Sequence, residues 1–261
     1  MDNGHSANAC DLLLRNRLAQ TRIDALPTDL RPSTRADGYA IQAHLERYSQ
    51  QPLYGWKIAA TSAAGQAHIG VDGPLAGRIL GEHVIKDGGH YRLGNNLMRV
   101  AELEFAFRMA GAIAPRHTPY GRAEVLERVA TVHPAIELPD SRFYDFARVG
   151  APQLIADAAC ANQFVLGPAT LADWRGIDLA THTVLGFLND VRVCEGTGAN
   201  VLGDPRDALV WLVNELSGQG ITIAAGQVMT TGTCVVPIVV EIGDRVVGDF
   251  GSIGRVSVSL D

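Results

Sequence analysis

The stretch from Glu102 to Phe107 alternates polar or small residues with large apolar ones. This period of two is typical of a half-buried β-strand, and it predicts that three apolar side chains face a core: Leu103, Phe105 and Phe107. Glu102 and Glu104 then project from the opposite face, roughly 6–7 Å apart along the strand. Two like charges at that spacing repel each other. Either a divalent cation lies between them, or the strand simply presents acidic residues to solvent.

Helical spacing of apolar residues dominates residues 1–51, which we predict to form a small helical N-terminal region. The leucines between Leu12 and Leu18 form one apolar face, and Ser33 and Thr34 offer a cap to a second helix.

Two more helices are predicted further along the chain. Apolar residues at helical spacing favour one over Arg122–Val132, with Pro134 as its stop signal. A second begins at Asp204, which is suited to capping, and ends at Gly218. Its buried stripe makes it the most regular helical pattern in the chain.

Short β-prone runs separated by glycines fill most of residues 52–261, which we predict to be the main domain. Besides the Glu102 strand, the runs are Leu53–Thr61, Ala76–Leu80, Ala135–Leu138, Ile221–Ile223, Val235–Glu241, Arg245–Phe250 and Arg255–Leu260. Strands this short favour an α+β protein with an antiparallel or mixed sheet that folds back on itself, rather than a doubly wound parallel sheet.

The composition excludes several classes of function. The chain has 261 residues, is 47% hydrophobic and carries a formal charge of −6 without any basic run, which argues against a nucleic-acid partner. No apolar run approaches the roughly 20 residues of a membrane span, and the N-terminus lacks the features of a signal peptide, so we expect a cytoplasmic protein. The scattered cysteines Cys10, Cys160, Cys194 and Cys234 suggest neither a zinc site nor a disulfide framework.

A third acidic residue, Glu137, lies inside the short predicted strand Ala135–Leu138. Together with Glu102 and Glu104 it would form an oxygen-only site, which suits Mg²⁺ or Mn²⁺ better than zinc. Three protein ligands leave positions for water or a chelating substrate. His133 is nearby in sequence, and we interpret it as structural.

Four other residues could contribute to a site, each with an ordinary alternative. Lys57 lies in an apolar strand and is either solvated or a cation beside a bound anion. Asp157 is flanked by small apolar residues and is either a buried structural carboxylate or a catalytic one. Thr231 and Gly232 could grip a ligand carboxylate or merely form a turn.

An ordered set of motifs resembles the 2-keto-4-pentenoate hydratases of the fumarylacetoacetate hydrolase-like superfamily. The set runs from about residue 33 to the C-terminus and consists of Gly55-Trp56-Lys57, Gly70-Val71-Asp72-Gly73-Pro74-Leu75-Ala76-Gly77, Glu102 with Glu104, Pro134-Ala135-Ile136-Glu137 with Ser141-Arg142, Asp157, Thr231-Gly232 and Gly243-Asp244. Each motif alone is weak, but the ordered set is highly specific.

The resemblance implies a mixed β-sheet roll with a Mg²⁺ or Mn²⁺ site and a homo-oligomeric enzyme. Glu102, Glu104 and Glu137 stand at the positions of the metal ligands, and Lys57 matches a lysine assigned to substrate binding or proton transfer. Asp157 also falls on a motif position, which makes it a second candidate catalytic residue. Members add water to 2-hydroxy-2,4-dienoates from the meta-cleavage of aromatic compounds and give 4-hydroxy-2-oxo acids.

The chain departs from the family pattern in two places. Leu75 stands where the better-known hydratases have a second carboxylate, so we predict an apolar substrate contact there, along with contacts from Thr231 and Gly232. Ala158 and Cys160 replace an expected amide and hydroxyl. Both departures predict a less polar pocket and bear on the substrate more than on the metal.

Three other functions fit the same resemblance. A 4-oxalocrotonate-type decarboxylase would use the same metal-stabilised electron sink, and an acylpyruvate-type hydrolase would cleave a C–C bond. The chain could instead be a non-catalytic subunit paired with a decarboxylase or hydratase relative. Its expected partner in every catalytic case is a small 2-oxo or 2-hydroxydienoate acid.

Overall fold

Two β-sheets packed face to face form the centre of the protein in a computed structural model that describes residues 1–261. Numbered in chain order, the strands are β1 Gly55–Ala59, β2 Leu75–Ile79, β3 Val84–Lys86, β4 Gly89–Tyr91, β5 Val100–Met109, β6 Val129–Leu138, β7 Gln163–Leu166, β8 Thr183–Leu188, β9 Val191–Thr197, β10 Val228–Thr233, β11 Ile238–Val239, β12 Arg245–Asp249 and β13 Arg255–Leu260. The α-helices are α1 Asn3–Ala19, α2 Arg35–Ala43, α3 Ala63–Ile69, α4 Arg122–Glu127, α5 Ala151–Ala156 and α6 Pro205–Gly218. Short 3₁₀ turns cover His44–Tyr48, Gly81–His83, Ala158–Cys160, Gly198–Asn200 and Gly251–Ile253.

The larger sheet has the strand order β2-β1-β10-β5-β6-β7-β3, with β11 added along β5. Its pairs are mostly antiparallel, but β1 runs parallel to β10 and β3 parallel to β7. The second sheet has the order β4-β13-β12-β8-β9. The predicted α+β class with a mixed sheet that curls on itself is therefore confirmed.

The alternation in β5 divides its side chains as the sequence predicted. Leu103, Phe105 and Phe107 are completely buried, and the rings of Phe105 and Phe250 pack nearly perpendicular to each other beside the second sheet, with centroids 5.2 Å apart. Leu103 packs where Gly186 and Gly248 leave room in β8 and β12. The apolar face of β5 thus lies between the sheets, and its acidic face points away.

The predicted helix over Arg122–Val132 is wrong in its second half. The helix ends at Glu127, and β6 begins at Val129 and continues through Pro134. The Pro134 carbonyl accepts a hydrogen bond from the Gly167 amide, on the side away from β5. Because the N–H and C=O of a residue in an antiparallel strand point to the same side, the N–H that proline lacks would also point away from β5. The hydrogen bonds between β5 and β6 are therefore unaffected by the proline. The β-branched residues before the proline therefore extend a strand rather than a helix.

Several other element boundaries differ from the sequence prediction. The run Ile221–Ile223 forms only an isolated bridge, from Ile223 to Ile113, and Val235–Glu241 shortens to β11. Helix α6 is confirmed, and the Asp204 side chain caps it by accepting from the Arg206 amide. No helix of the protein has the length and hydrophobicity that crossing a membrane requires.

The N-terminal helices pack against a later part of the chain. Thr34 and Asp37 form a capping box at the start of α2, and Cys10 and Leu13 of α1 share a buried cluster with Phe143 and residues beside it. The division at residue 51 stays a prediction.

Candidate active site

Three carboxylates converge where β5 pairs with β6. The register places Glu102 directly opposite Glu137, and Glu104 lies two residues further along the same face. One oxygen from each of the three lies within 4.8 Å of the others. Glu104 and Glu137 are buried, and Glu102 is half-buried. The sequence prediction that these residues meet is confirmed.

The hydrogen bonding of these carboxylates is incomplete. One oxygen of Glu104 accepts from the Gly232 amide at 2.9 Å, but its other oxygen and one Glu137 oxygen have no donor, and the second Glu137 oxygen has only the Lys57 ammonium, 2.9 Å away. Burying anionic oxygens without donors is costly unless a cation compensates. Hard oxygen ligands with spare lone pairs are what a divalent ion such as Mg²⁺ requires, so the residues present fit the expected metal.

Lys57 lies beside this group, its side chain 3% exposed. Its Nζ is 2.9 Å from a Glu137 oxygen and donates a hydrogen bond to the Ala159 carbonyl at 3.1 Å. Burial lowers the pKa of the Lys57 ammonium, but the nearby carboxylates outweigh that effect, Glu137 most strongly, and the net pKa is raised. Lys57 is therefore a fixed positive charge.

Burial has the opposite effect on the pKa values of the three carboxylates, which it raises. Desolvation raises the pKa of Glu102 and, further, that of Glu104, where repulsion from the neighbouring carboxylates adds to it. Burial likewise raises the pKa of Glu137 to about 7, against the opposing influence of Lys57. A group of acids held this far from their usual range is typical of a functional site.

A cavity of roughly 1000 Å³ opens onto these residues. Lys57, Glu102, Cys160 and Gly232 line it, and α3 forms one of its walls. The site is therefore open to a small molecule from solvent.

Asp157 does not line the cavity. It is buried, and its oxygens accept hydrogen bonds from the Arg142 side chain, the Arg142 amide and the Ser141 hydroxyl. The residues that follow it, Ala158–Cys160, all have left-handed backbone angles, and this segment carries the Ala159 carbonyl that holds Lys57. The structure thus connects Asp157 to the site through the backbone.

Two of the predicted substrate contacts are also outside the cavity. Leu75 is completely buried in the main hydrophobic core, and the buried Thr231 hydroxyl donates to the Phe105 carbonyl. Gly232 does line the cavity. His133 is held by the Gly167 carbonyl and Thr131, in agreement with a structural role.

The sequence reasoning missed the wall formed by α3 and Phe146. A signal was present for the helix: Ser62 caps it by accepting from the Gly65 amide, and Gly70 ends it with a left-handed angle. Phe146 gave no such signal, because it belongs to an irregular segment whose position depends on tertiary packing.

Comparison with known proteins identifies the family. No family model matches the chain. The 2-keto-4-pentenoate hydratase 1 of Dechloromonas aromatica is 30% identical over 207 residues, which cover 78% of this chain and 76% of that protein. The chain belongs to the 2-keto-4-pentenoate hydratase family. The 2-hydroxyhexa-2,4-dienoate hydratase of Comamonas testosteroni is also 30% identical, over 89% of both chains.

Decarboxylases are equally similar to this member of the hydratase family. A 4-oxalocrotonate decarboxylase of Pseudomonas putida is 29% identical over 90% of this chain and 89% of that one. The solved structure of the 4-oxalocrotonate decarboxylase from Pseudomonas putida G7 with magnesium and adipate superposes with a TM-score of 0.90 at 25% identity, covering 100% of this chain and 99% of that one. A second structure of that enzyme contains calcium and acetate. That relative was therefore crystallised with a divalent ion in both structures, which agrees with the three carboxylates found here.

Proposed function

We propose that the protein is a divalent-metal-dependent hydratase that converts a 2-hydroxy-2,4-dienoate into a 4-hydroxy-2-oxo acid during the breakdown of aromatic compounds. The observation that carries the proposal is the convergence of three carboxylates beside a buried lysine, at an open cavity, in a chain of this family. Mg²⁺ or Mn²⁺ is the proposed ion, because the ligands are all carboxylate oxygens.

The reaction balances with water as the only co-reactant. The enol proton of the substrate is transferred, in effect, to carbon 5, which leaves a 2-oxo-3-enoate. Water then adds across the remaining double bond, with its hydroxyl bonding to carbon 4 and a proton going to carbon 3. An ion held by Glu102, Glu104 and Glu137 would supply positive charge to the substrate carboxylate and 2-oxygen as a Lewis acid.

Lys57 supplies the second positive charge. Its Nζ is held by the Ala159 carbonyl and Glu137, so it is oriented before any substrate enters. From the cavity wall it can attract the substrate carboxylate and hold a proton near the 2-oxygen. The raised pKa of Lys57 favours binding the anion over acting as a base.

Asp157 acts as a positioning residue in this proposal. Its carboxylate is occupied by Arg142 and Ser141, which fixes the start of the Ala158–Cys160 turn and hence the Ala159 carbonyl. A direct catalytic role is less well supported, because the side chain does not line the cavity.

One observation favours hydration over 4-oxalocrotonate decarboxylation. Lys57 is the single lysine or arginine among the residues that line the cavity. A dicarboxylate would need a second charged partner for its distal carboxylate, and besides Lys57 the lining offers only the exposed imidazole of His68, which is not permanently charged. The intact set of carboxylates likewise argues against a non-catalytic subunit.

The assembly and location of the protein are also proposals. We infer a cytoplasmic homo-oligomer, on the grounds of the resemblance and the composition. Light scattering on the purified protein would measure the subunit number.

The test is an assay of purified protein with Mg²⁺ or Mn²⁺ and 2-hydroxypenta-2,4-dienoate. We expect loss of the dienoate absorbance and formation of a 4-hydroxy-2-oxo acid by NMR, without CO₂ release from 4-oxalocrotonate at a comparable rate. Glu104→Gln should abolish turnover, and titration calorimetry should show no metal binding. The exposed Glu127→Gln serves as control and should behave as the wild type. Full activity of Glu104→Gln would remove the three-carboxylate site from the mechanism.

A further inference from the structure

The cavity is larger than the smallest substrate of this class requires. Its volume of roughly 1000 Å³ lies at the upper end of the range of about 300–1,000 Å³ found for sites that enclose drug-sized ligands. A five-carbon dienoate held beside Glu102 and Lys57 would leave much of that space open.

The walls away from the carboxylates are mainly apolar. They are formed by α3 together with Phe146, Leu202 and Val235. Ile69, Val235 and Phe146 also belong to or pack against the hydrophobic core, so this wall is part of the folded body.

The polar groups in this outer part have few free donors. The Gln66 amide donates to the Ala60 carbonyl, and the Asn200 amide donates to the Cys234 carbonyl. His68 is exposed and packs edge-on against Phe146, with ring centroids 6.1 Å apart. The outer part therefore contains no lysine or arginine and no pair of free amide donors that would bind a carboxylate, and the imidazole of His68 is its one basic group.

These surroundings should bind an apolar substrate end more tightly than an acidic one. Each methylene buried against such walls should tighten binding about fourfold. A carboxylate in the same place would lose water without gaining a lysine or arginine partner, which weakens binding.

We propose that the outer part of the cavity is a subsite for an apolar tail, and that the protein prefers 2-hydroxy-2,4-dienoates whose distal end carries an alkyl or aryl group over dienoates with a second carboxylate. This inference rests on the proposed function for the identity of the reacting end. It adds the class of substituent that the distal end carries.

The test measures the binding of saturated 2-oxo acids, which cannot be hydrated, by calorimetry in the presence of Mg²⁺. From 2-oxopentanoate to 2-oxooctanoate we expect the dissociation constant to fall about fourfold per methylene. The dicarboxylate 2-oxoheptanedioate should bind at least tenfold more weakly than 2-oxooctanoate. A series without dependence on length, or tighter binding of the dicarboxylate, would overturn the inference.

This readout is independent of the proposed reaction. Turnover of 2-hydroxypenta-2,4-dienoate is measured separately, so its absence would refute the hydratase function while the binding series still decides the nature of the subsite.

A matched pair of variants locates the effect. Ala64 and Ala67 are both exposed alanines of α3, but only Ala64 lines the cavity. Arginine is a good helix former, so Ala64→Arg and Ala67→Arg should both fold. Ala64→Arg should shift the ratio of the two dissociation constants at least tenfold toward the dicarboxylate, and Ala67→Arg should leave it within twofold. If both variants change the ratio of the dissociation constants equally, the preference between the two ligands does not arise in the cavity.

Discussion

At the scale of single residues, charge explains why the site needs an ion. The three carboxylates carry three negative charges when ionised, and Lys57 carries one positive charge, which leaves two negative charges. That remainder equals the charge of one divalent cation. Burial raises the pKa values of Glu102, Glu104 and Glu137, and repulsion between neighbouring carboxylates adds to this effect at Glu104 and Glu137.

His83 is a second residue whose protonation the fold opposes. Burial lowers its pKa to about 4, and the cationic Arg17 and Arg142 add to the effect. The Gln163 side chain donates to its Nδ1 at 3.2 Å, so a proton on that nitrogen would face another donor. His83 therefore contributes fully to stability only while it is neutral.

The pH range of this effect follows from the two pKa values. Because the pKa in the folded protein is below the ordinary value of about 6.5, the contribution is complete above pH 6.5 and is lost as the pH falls toward 4. Relative to His83→Gln, the free energy of unfolding of the wild type should decrease by up to roughly 3 kcal/mol across that range. Urea denaturation at pH 7 and pH 4.5 measures the difference. The control His117→Gln, at an exposed histidine, should lose as much stability between these pH values as the wild type. If the difference in unfolding free energy between the wild type and His83→Gln is the same at both pH values, the prediction is contradicted.

Single residues were predicted best where the pattern alone determined their direction. Alternation was enough to place Glu102 and Glu104 on one face, because side chains on a strand point alternately to its two sides. Leu75 and Thr231 were assigned to the substrate by motif, but the directions of their side chains depend on how β2 and β10 pack, which the motif does not contain.

At the scale of elements, the site depends on a close approach between β2 and the Ala158–Cys160 turn. Gly77 lies directly opposite Lys57 in the β1–β2 pair. A Cβ atom at Gly77 would lie 1.9 Å from the Ala158 carbonyl oxygen, which is far inside contact distance. Only glycine lets the turn approach closely enough for the Ala159 carbonyl to accept the Lys57 hydrogen bond.

Gly77→Ala should therefore damage both the fold and the site. We expect a loss of about 1–3 kcal/mol or more in the free energy of unfolding, because the turn must move. We also expect a fall in kcat/KM at temperatures where the variant is folded, because Lys57 loses its acceptor. Gly73→Ala is the control, since a Cβ there has open space around it, and it should stay within about 0.5 kcal/mol of the wild type. If Gly77→Ala is destabilised but fully active, the position of the Ala158–Cys160 turn does not matter for catalysis.

The type of an element was predictable where the local signals agreed with one another. The alternation of apolar residues was sufficient for β5, and helical spacing together with a capping residue was sufficient for α6. They were not predictable where a local signal competed with tertiary pairing. Pro134 is an ordinary helix stop signal, but the strand accommodates it because the side without an N–H faces away from β5, and on that side the Gly167 carbonyl is bound by His133 instead. The pairing of β6 with its neighbouring strands therefore outweighs the tendency of proline to end an element.

At the scale of the whole molecule, metal binding should be linked to global stability. The carboxylates come from two central strands of the larger sheet, and Gly232 of a third strand donates to one of them. An ion bound only by the folded protein stabilises it by about 2.7 kcal/mol at 100 times its dissociation constant. For a protein of this size that corresponds to a rise in Tm of roughly 5–10 °C.

Glu104→Gln separates this linkage from ordinary packing effects. The glutamine oxygen can still accept from the Gly232 amide, but the variant has one buried negative charge fewer. In EDTA at pH 8 its Tm should equal or exceed that of the wild type, because the repulsion among the remaining carboxylates is weaker. Added Mg²⁺ should then raise the Tm of the wild type and leave that of the variant unchanged. A variant that is less stable in EDTA yet keeps the full Mg²⁺ response would show that the ion binds elsewhere and that the buried carboxylates serve the fold alone.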